Sequence, residues 1–347
     1  MKDLLLPKRL QIGDKVATVS LSSGLAGEEK FKYKYELGVK RLYDVFGLEA
    51  VPMANSLRGC DFLYKNPKAR ADDLMQAICD PEIKAIISNI GGEESLRILP
   101  YLDLDLIRKN PKIFMGYSDS TSVHYMFYKA GVTSYYGPAI MTDFAENNAM
   151  FDYTVNSIKR TLFNAESFGE LKSSEKWTCE RLEWADQSLQ NVSRKLEKNK
   201  GHEFINGKGV IQGKLIGGCI VTFQSIRSTS LFPEINDWND SILFIETPET
   251  KPDPMYFRYW IRDFGFMGIL QRVKGILVGK PYEECYYEEY KNILLEVVRD
   301  EFGLSDLPIV YNMNFGHAAP LSILPYGVSC KIDCGNKKVE LNTPSVE

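Results

Sequence analysis

Histidine is scarce in this chain of 347 residues, with only His124, His202 and His317. So few rings argue against a multi-histidine metal site and leave a short choice of histidine bases. An excess of either charge is also missing. The 42 Lys and Arg against 46 Asp and Glu leave a net charge of −4, so neither nucleic acid nor an anionic membrane is expected as a partner. Long apolar runs are absent too. Leu4-Leu5-Leu6 is broken at once by Pro7, Lys8 and Arg9, short of the about 7–15 apolar residues of a signal-peptide core. Nothing approaches the about 18–20 apolar residues of a membrane span, and a soluble protein retained in the cytoplasm is expected. Seven cysteines include no C-x-x-C pair, which removes the usual signature of zinc ribbons and thioredoxin-like sites. Cys330 and Cys334 read as reduced thiols, in keeping with that compartment.

What is present is an ordinary globular composition, 44% apolar and 25% charged, in a chain long enough for two domains of about 150 residues. In the first half, apolar runs at 15–20, 50–53, 83–90 and 112–117 predict strands. Helical spacing covers 28–45, 69–79 and 120–130, the last closed by Gly131. Alternation of this kind predicts an α/β fold with a parallel sheet covered on both faces. Between about 163 and 208 the chain turns polar and lysine-rich. This stretch reads as a connection with a long surface excursion, in which the 195–200 cluster forms a solvated face. Trp177 and Trp184 lie there, either packed against the domain or stacking on a planar ligand. From Gly209 a β-rich series follows, with helices near 254–264 and 287–301. The expected division is 1–165, 166–208 and 209–347.

The sharpest local feature is KIFMGYSDSTSVHYMFYKA, 112–130, where an apolar strand runs through Gly116-Tyr117-Ser118-Asp119 directly into a helix. A serine there projects from the sheet end, and the N–H that follows it, on Asp119, points where an oxyanion would form. This is the logic of a nucleophile elbow, although Ser120 replaces the last glycine of G-x-S-x-G. A helix-capping or turn serine is the competing reading. For the base, His124 lies about 600° of helix rotation beyond Ser118 and reads as packing, and His202 sits in the lysine-rich excursion, expected to be exposed. His317, in NMNFGHAAP after a strand, is favoured by elimination. Glu246 ends the apolar strand SILFIE and could orient the ring. Glu249, deeper in the following loop, is expected only to meet water. Gly91-Gly92 follow a strand end and allow close backbone approach, or simply serve a turn.

With these residues assembled, the sequence resembles the family of serine peptidases that includes murein LD-carboxypeptidases and the microcin C immunity peptidase. The resemblance spans essentially the whole chain. It rests on SNIGGEESLRILPYLD (88–103), NPKIFMGYSDST (110–121), YYGPA (135–139), GKLIGGC (213–219), ILFIETPE (242–249), VKGILVGK (273–280) and FGHAAPLSILPYGV (315–328). It implies Ser118 as nucleophile, Glu246 and His317 as acid and base, and an oxyanion hole from the N–H groups of Asp119 and Gly92. The implied fold is an N-terminal α/β sandwich carrying the serine and a C-terminal β-rich swivelling domain carrying the acid and base. It also implies a homodimer and no metal or organic cofactor. The IGG form and the long excursion look more like the microcin-immunity branch, which cleaves an amide between a C-terminal acidic residue and a modified nucleotide. Trp184 is then the aromatic expected on the base, with Gly91 beside the substrate.

The leading expectation is therefore a serine carboxypeptidase-type hydrolase of a small peptide or peptide-nucleotide conjugate, and a murein tetrapeptide LD-carboxypeptidase is the alternative. A non-catalytic small-molecule binder on the same scaffold is the alternative of another class, disfavoured if a fluorophosphonate labels Ser118. A nucleotide-cofactor enzyme lacks both G-x-G-x-x-G and the P-loop signature after the first strand.

Overall fold

The computed structural model describes residues 3–347, so Met1 and Lys2 of the opening segment lie outside it. The first sheet is built from β1 (Lys15–Val19), β2 (Glu49–Pro52), β3 (Ile83–Ser88), β4 (Ile113–Gly116) and β5 (Tyr135–Tyr136). These strands are parallel and lie in the order β5-β4-β3-β1-β2. Val16, Ala17, Ile86, Ile87 and Phe114 are all buried, because helices cover both faces and leave no polar side. The predicted helices are α1 (Lys32–Phe46), α2 (Pro67–Cys79) and α3 (Thr121–Ala130), each near its expected span. Helices Gly59–Lys65, Leu104–Lys109 and Asp152–Leu162 were not foreseen; the first two are too short to show a readable period. The order reverses between β1 and β3, and the loops after these strands meet there, Ser23 N–H donating to Gly91 C=O at 3.1 Å. Ligands bind at such switch points in α/β sheets.

The second sheet is centred on β6 (Val210–Cys219), β7 (Ser241–Glu246), β8 (Gly275–Gly279) and β9 (Ile309–Met313). These four are mutually parallel, and antiparallel strands flank them on both sides. Helix α4 (Pro254–Phe266) joins β7 to β8, and α5 (Tyr287–Leu294) joins β8 to β9. The second half is thus β-rich at its edges and α/β at its centre. The sheets also share chain: Leu324–Pro325, late in the sequence, pairs with β5 at the edge of the first sheet.

The two halves meet through an aromatic layer. Tyr326 stacks on His124 (4.9 Å between ring centroids) and lies edge-on to Phe244 of β7 (5.2 Å). Its hydroxyl donates to Gly217 C=O at 2.6 Å. His124 is fully buried, its ring nitrogens 2.9 Å from Ser134 Oγ and from Gly116 C=O. Burial pushes its pKa down to about 3, so it is a neutral packing residue.

His202 departs from expectation, being half-buried rather than exposed. Glu203–Asn206, next along the chain, forms the outer strand against β9, and Asn312 donates to Gly201 C=O at 2.7 Å. The polar segment is thereby pinned to the sheet, and burial pushes the pKa of His202 down to about 4. Among the described residues no helix is long and apolar enough to cross a membrane.

Candidate active site

Ser118 stands at the C-terminal end of β4 with φ of +63°. This left-handed conformation costs a non-glycine residue about 1–2 kcal/mol and persists only where the surroundings over-determine it. They do so here from both sheets. Ser118 N–H donates to Tyr136 Oη at 3.0 Å, and Ser118 C=O accepts from Thr121 Oγ1 at 2.7 Å. Thr121 Oγ1 in turn accepts from the N–H of Cys219, at the end of β6, at 3.0 Å. The serine is therefore neither a helix cap nor an ordinary turn residue.

Glu246, the last residue of β7, is buried. One oxygen accepts from Tyr136 Oη–H at 2.6 Å and the other from His317 Nδ1–H at 2.7 Å. The other face of that ring closes the relay, with Nε2 3.0 Å from Ser118 Oγ. The acid and base approach this closely because position 316 is glycine: a Cβ there would lie 2.6 Å from Glu246 Oε2, and its φ is +98°. The ring edge of Tyr117 packs on the imidazole, 5.1 Å between centroids. Ser118, Glu246 and His317, far apart in sequence, thus form one hydrogen-bonded chain. Tyr136 links both ends of it and was missed as a site residue; its sequence signal was its place in the YYGPA block, 135–139.

The glycine pair lies against the serine. A Cβ on Gly91 would stand 3.0 Å from Ser118 Cβ and 3.7 Å from Asp119 N, whereas one on Gly92 would meet Ser22 Oγ at 2.5 Å. Among the described residues the N–H groups of Asp119, Gly91 and Gly92 have no backbone acceptor. The Asp119 carboxylate faces elsewhere, accepting from Ser22 Oγ at 2.5 Å and Ser95 N–H at 2.8 Å. It anchors the turn.

Glu249 corrects the expectation that it meets only water. A tight turn, Lys251 N–H to Pro248 C=O at 3.0 Å, folds the loop back. Glu249 Oε2 then lies 3.0 Å from His317 Nε2, and Oε1 lies 3.3 Å from the Arg181 guanidinium. Burial opposes a charge on His317, yet the facing carboxylates of Glu246 and Glu249 outweigh it and push its pKa up to about 9. The bond from His317 holds Glu249 down at about 2, against the effect of burial.

The excursion supplies one wall of the site. Trp177 is buried with Cys179, Tyr282 and Ala318, so it packs. Trp184 is half-buried and faces the cleft, 6.5 Å from the Phe31 ring centroid and 5.4 Å from Lys34 Nζ. With Ser118, His317, Gly91 and Gly92 it lines a cavity of about 530 Å³. Among the described residues no cluster of three or more His, Cys, Asp or Glu is arranged to hold a metal ion.

Comparisons with known proteins bear on the family and the fold. Residues 16–137 match the LD-carboxypeptidase N-terminal domain and 212–332 the LD-carboxypeptidase C-terminal domain. The chain is 30% identical to the microcin C7 self-immunity protein MccF of Escherichia coli over 341 residues, 97% of this chain and 95% of that protein. The crystal structure of an MccF-like protein from Streptococcus pneumoniae in complex with AMP superposes with a TM-score of 0.88 at 34% identity, covering 95% of this chain and 99% of that one. MccF in complex with aspartyl sulfamoyl adenosine gives 0.84 at 27% identity, covering 99% and 100%.

Proposed function

The chain belongs to the LD-carboxypeptidase family of peptidases, and from that premise we propose a serine hydrolase that cleaves an amide near the carboxyl end of a small peptide-nucleotide conjugate. The observation that carries this reading is the relay Glu246–His317–Ser118 with the serine held at positive φ. His317 accepts the Ser118 proton as Oγ attacks the carbonyl, and Glu246 holds the ring and stabilises its charge. The N–H groups of Asp119 and of Gly92, or of Gly91 beside it, hold the oxyanion. His317 then protonates the leaving nitrogen, and water releases the acyl-enzyme on the same base. None of these steps calls on a metal or an organic cofactor.

Trp184 is the residue assigned to the nucleobase. The ligands bound by the relatives, AMP and aspartyl sulfamoyl adenosine, each carry an adenine, and an aromatic facing a cavity of this size suits a planar ring. The second reading, a murein tetrapeptide substrate, is favoured by the family to which both halves of the chain match. Incubation with a peptidyl aminoacyl-nucleotide and, separately, with a murein tetrapeptide, followed by mass spectrometry of the products, separates the two. The nucleotide arm is expected to release the nucleotide, and Trp184→Ala to raise its KM by about tenfold, the worth of one stacking contact. Turnover of the tetrapeptide alone rejects the nucleotide reading, and turnover of neither rejects both.

A cytoplasmic location is proposed on the seven cysteines, all of which are free thiols. A homodimer is proposed through the outer side of α4, where Met255, Tyr256, Tyr259 and Phe266 are exposed. Light scattering at micromolar concentration is expected to report a dimer that Tyr259→Glu dissociates; a monomeric wild-type protein rejects it.

A further inference from the structure

Two carboxylates on one imidazole are one too many for a base. Glu246 accepts from Nδ1–H, so Nε2 must be free of its proton to receive the one from Ser118. With Glu249 Oε2 3.0 Å from Nε2, a proton on that nitrogen is stabilised, and carboxylates at both ring nitrogens favour the imidazolium. The groups facing the ring are Glu246 at Nδ1, Ser118 and Glu249 at Nε2, and the Tyr117 ring against its face. Arg181 stands behind Glu249 at 3.3 Å. Nε2 is thus shared between Ser118 and Glu249, and the carboxylate must leave before that nitrogen serves the serine alone.

Its position suggests what displaces it. The base returns its proton to the leaving nitrogen, so the leaving group lies on the Nε2 side of the serine, where the Glu249 carboxylate now sits. A terminal amino acid carries a carboxylate one carbon from that nitrogen, and a nucleotide joined to the peptide through a phosphoramidate carries its anionic phosphoryl group directly on it. Both offer an anion at this place. Glu249 and Arg181 have 40% and 60% of their side-chain surface exposed, so solvent can take the place of either partner.

Resting on the Ser118–His317 reading, we propose that Arg181 reads the anionic group on the leaving side of the substrate and that Glu249 is its resting surrogate, displaced when substrate binds. The incoming anion is neutralised by Arg181. Glu249 swings to solvent, Nε2 loses its proton to water, and the neutral ring, already 3.0 Å from Ser118 Oγ, accepts from it. A substrate without that anion leaves the base blocked, so the pair selects for anionic leaving groups. Arg181 acts as a specificity residue and Glu249 as a positioning residue.

Binding measurements that need no turnover test this, so their failure is distinct from failure of the nucleophile reading, on which hydrolysis by Ser118→Ala reports. Affinity for AMP against adenosine, and for D-alanine against D-alaninamide, is compared by calorimetry in wild type, Glu249→Gln and Arg181→Gln. The anionic member of a pair is expected to bind roughly 10- to 100-fold more weakly to Arg181→Gln, the worth of a charge-assisted bond. It should bind more tightly to Glu249→Gln, because the competitor is gone, while the uncharged-end partners keep their affinity. An effect confined to AMP assigns the site to a nucleotide leaving group, and one confined to D-alanine assigns it to a terminal amino acid. In ring NMR of the free protein, Glu249→Gln is expected to move the His317 titration to lower pH by about one unit or more. Unchanged anion affinity in Glu249→Gln, or an unmoved His317 titration, overturns the proposal.

Discussion

Ser118→Ala is expected to lower kcat by about 10⁴–10⁶-fold while leaving the protein folded. The size follows from what the hydroxyl does. In the proposed mechanism it is the group that forms the acyl-enzyme, and among the described residues it is the one hydroxyl hydrogen-bonded to His317 Nε2, at 3.0 Å. The stability expectation follows from what the hydroxyl does not do. Its partner is the base alone, while the turn is held by the Ser118 N–H and C=O bonds to Tyr136 and Thr121, which alanine keeps. Alanine tolerates φ of +63° no worse than serine, so the thermal midpoint should stay within a few degrees of wild type. Residual activity of about 10³-fold over water is expected from the oxyanion donors and binding. A variant within tenfold of wild-type kcat, with its melting curve intact, removes Ser118 from the chemistry.

Glu246→Gln should cost about 10⁴-fold in kcat, for a different reason. The amide is isosteric, and its oxygen still accepts from Tyr136 while its NH₂ faces His317 Nδ1. That NH₂ donates, so Nδ1 must become the acceptor and Nε2 carries the hydrogen. A ring in that tautomer presents a donor to Ser118 and takes no proton. One of the two carboxylates that hold the ring charged is lost as well. In the wild type the base works only when neutral, so kcat/KM rises as pH rises through the His317 value of about 9 in the free enzyme. In Glu246→Gln the rise moves to lower pH, because the remaining carboxylate, Glu249, stabilises the imidazolium less than two do. A kcat within tenfold of wild type, or a pH profile that does not move, rejects Glu246 as the orienting acid.

Much of this site is legible in the chain. The strands before Ser118 and Glu246 are buried on both faces, so their apolar runs end abruptly at the residue that leaves the sheet. Three histidines made elimination feasible, and the structure separates them as packing, half-buried and facing the serine. Other features were not legible. Glu249 and Glu246 are three residues apart and alike in composition, and only the turn at 248–251 brings both to one ring. Tyr136 looks like any strand residue until Glu246 arrives from the other sheet. His202 reads as exposed because its neighbours are lysines, and a strand pairing with β9 buries it. Trp177 and Trp184 share a segment, yet one packs under Tyr282 and the other faces the cleft.

Apolar periodicity, turn chemistry and residue scarcity are properties of neighbours along the chain. By themselves they determined the α/β class, the serine at a strand-to-helix turn and which histidine was the candidate base. Whether that base is free or loaded depends on which charges stand within about 4 Å of it, where Coulomb energies in a buried site reach several kcal/mol. Those distances join the turn after β4, the end of β7, the loop beyond it, the excursion and the segment after β9. No local pattern encodes them, and only the packing of the two sheets against each other decided them.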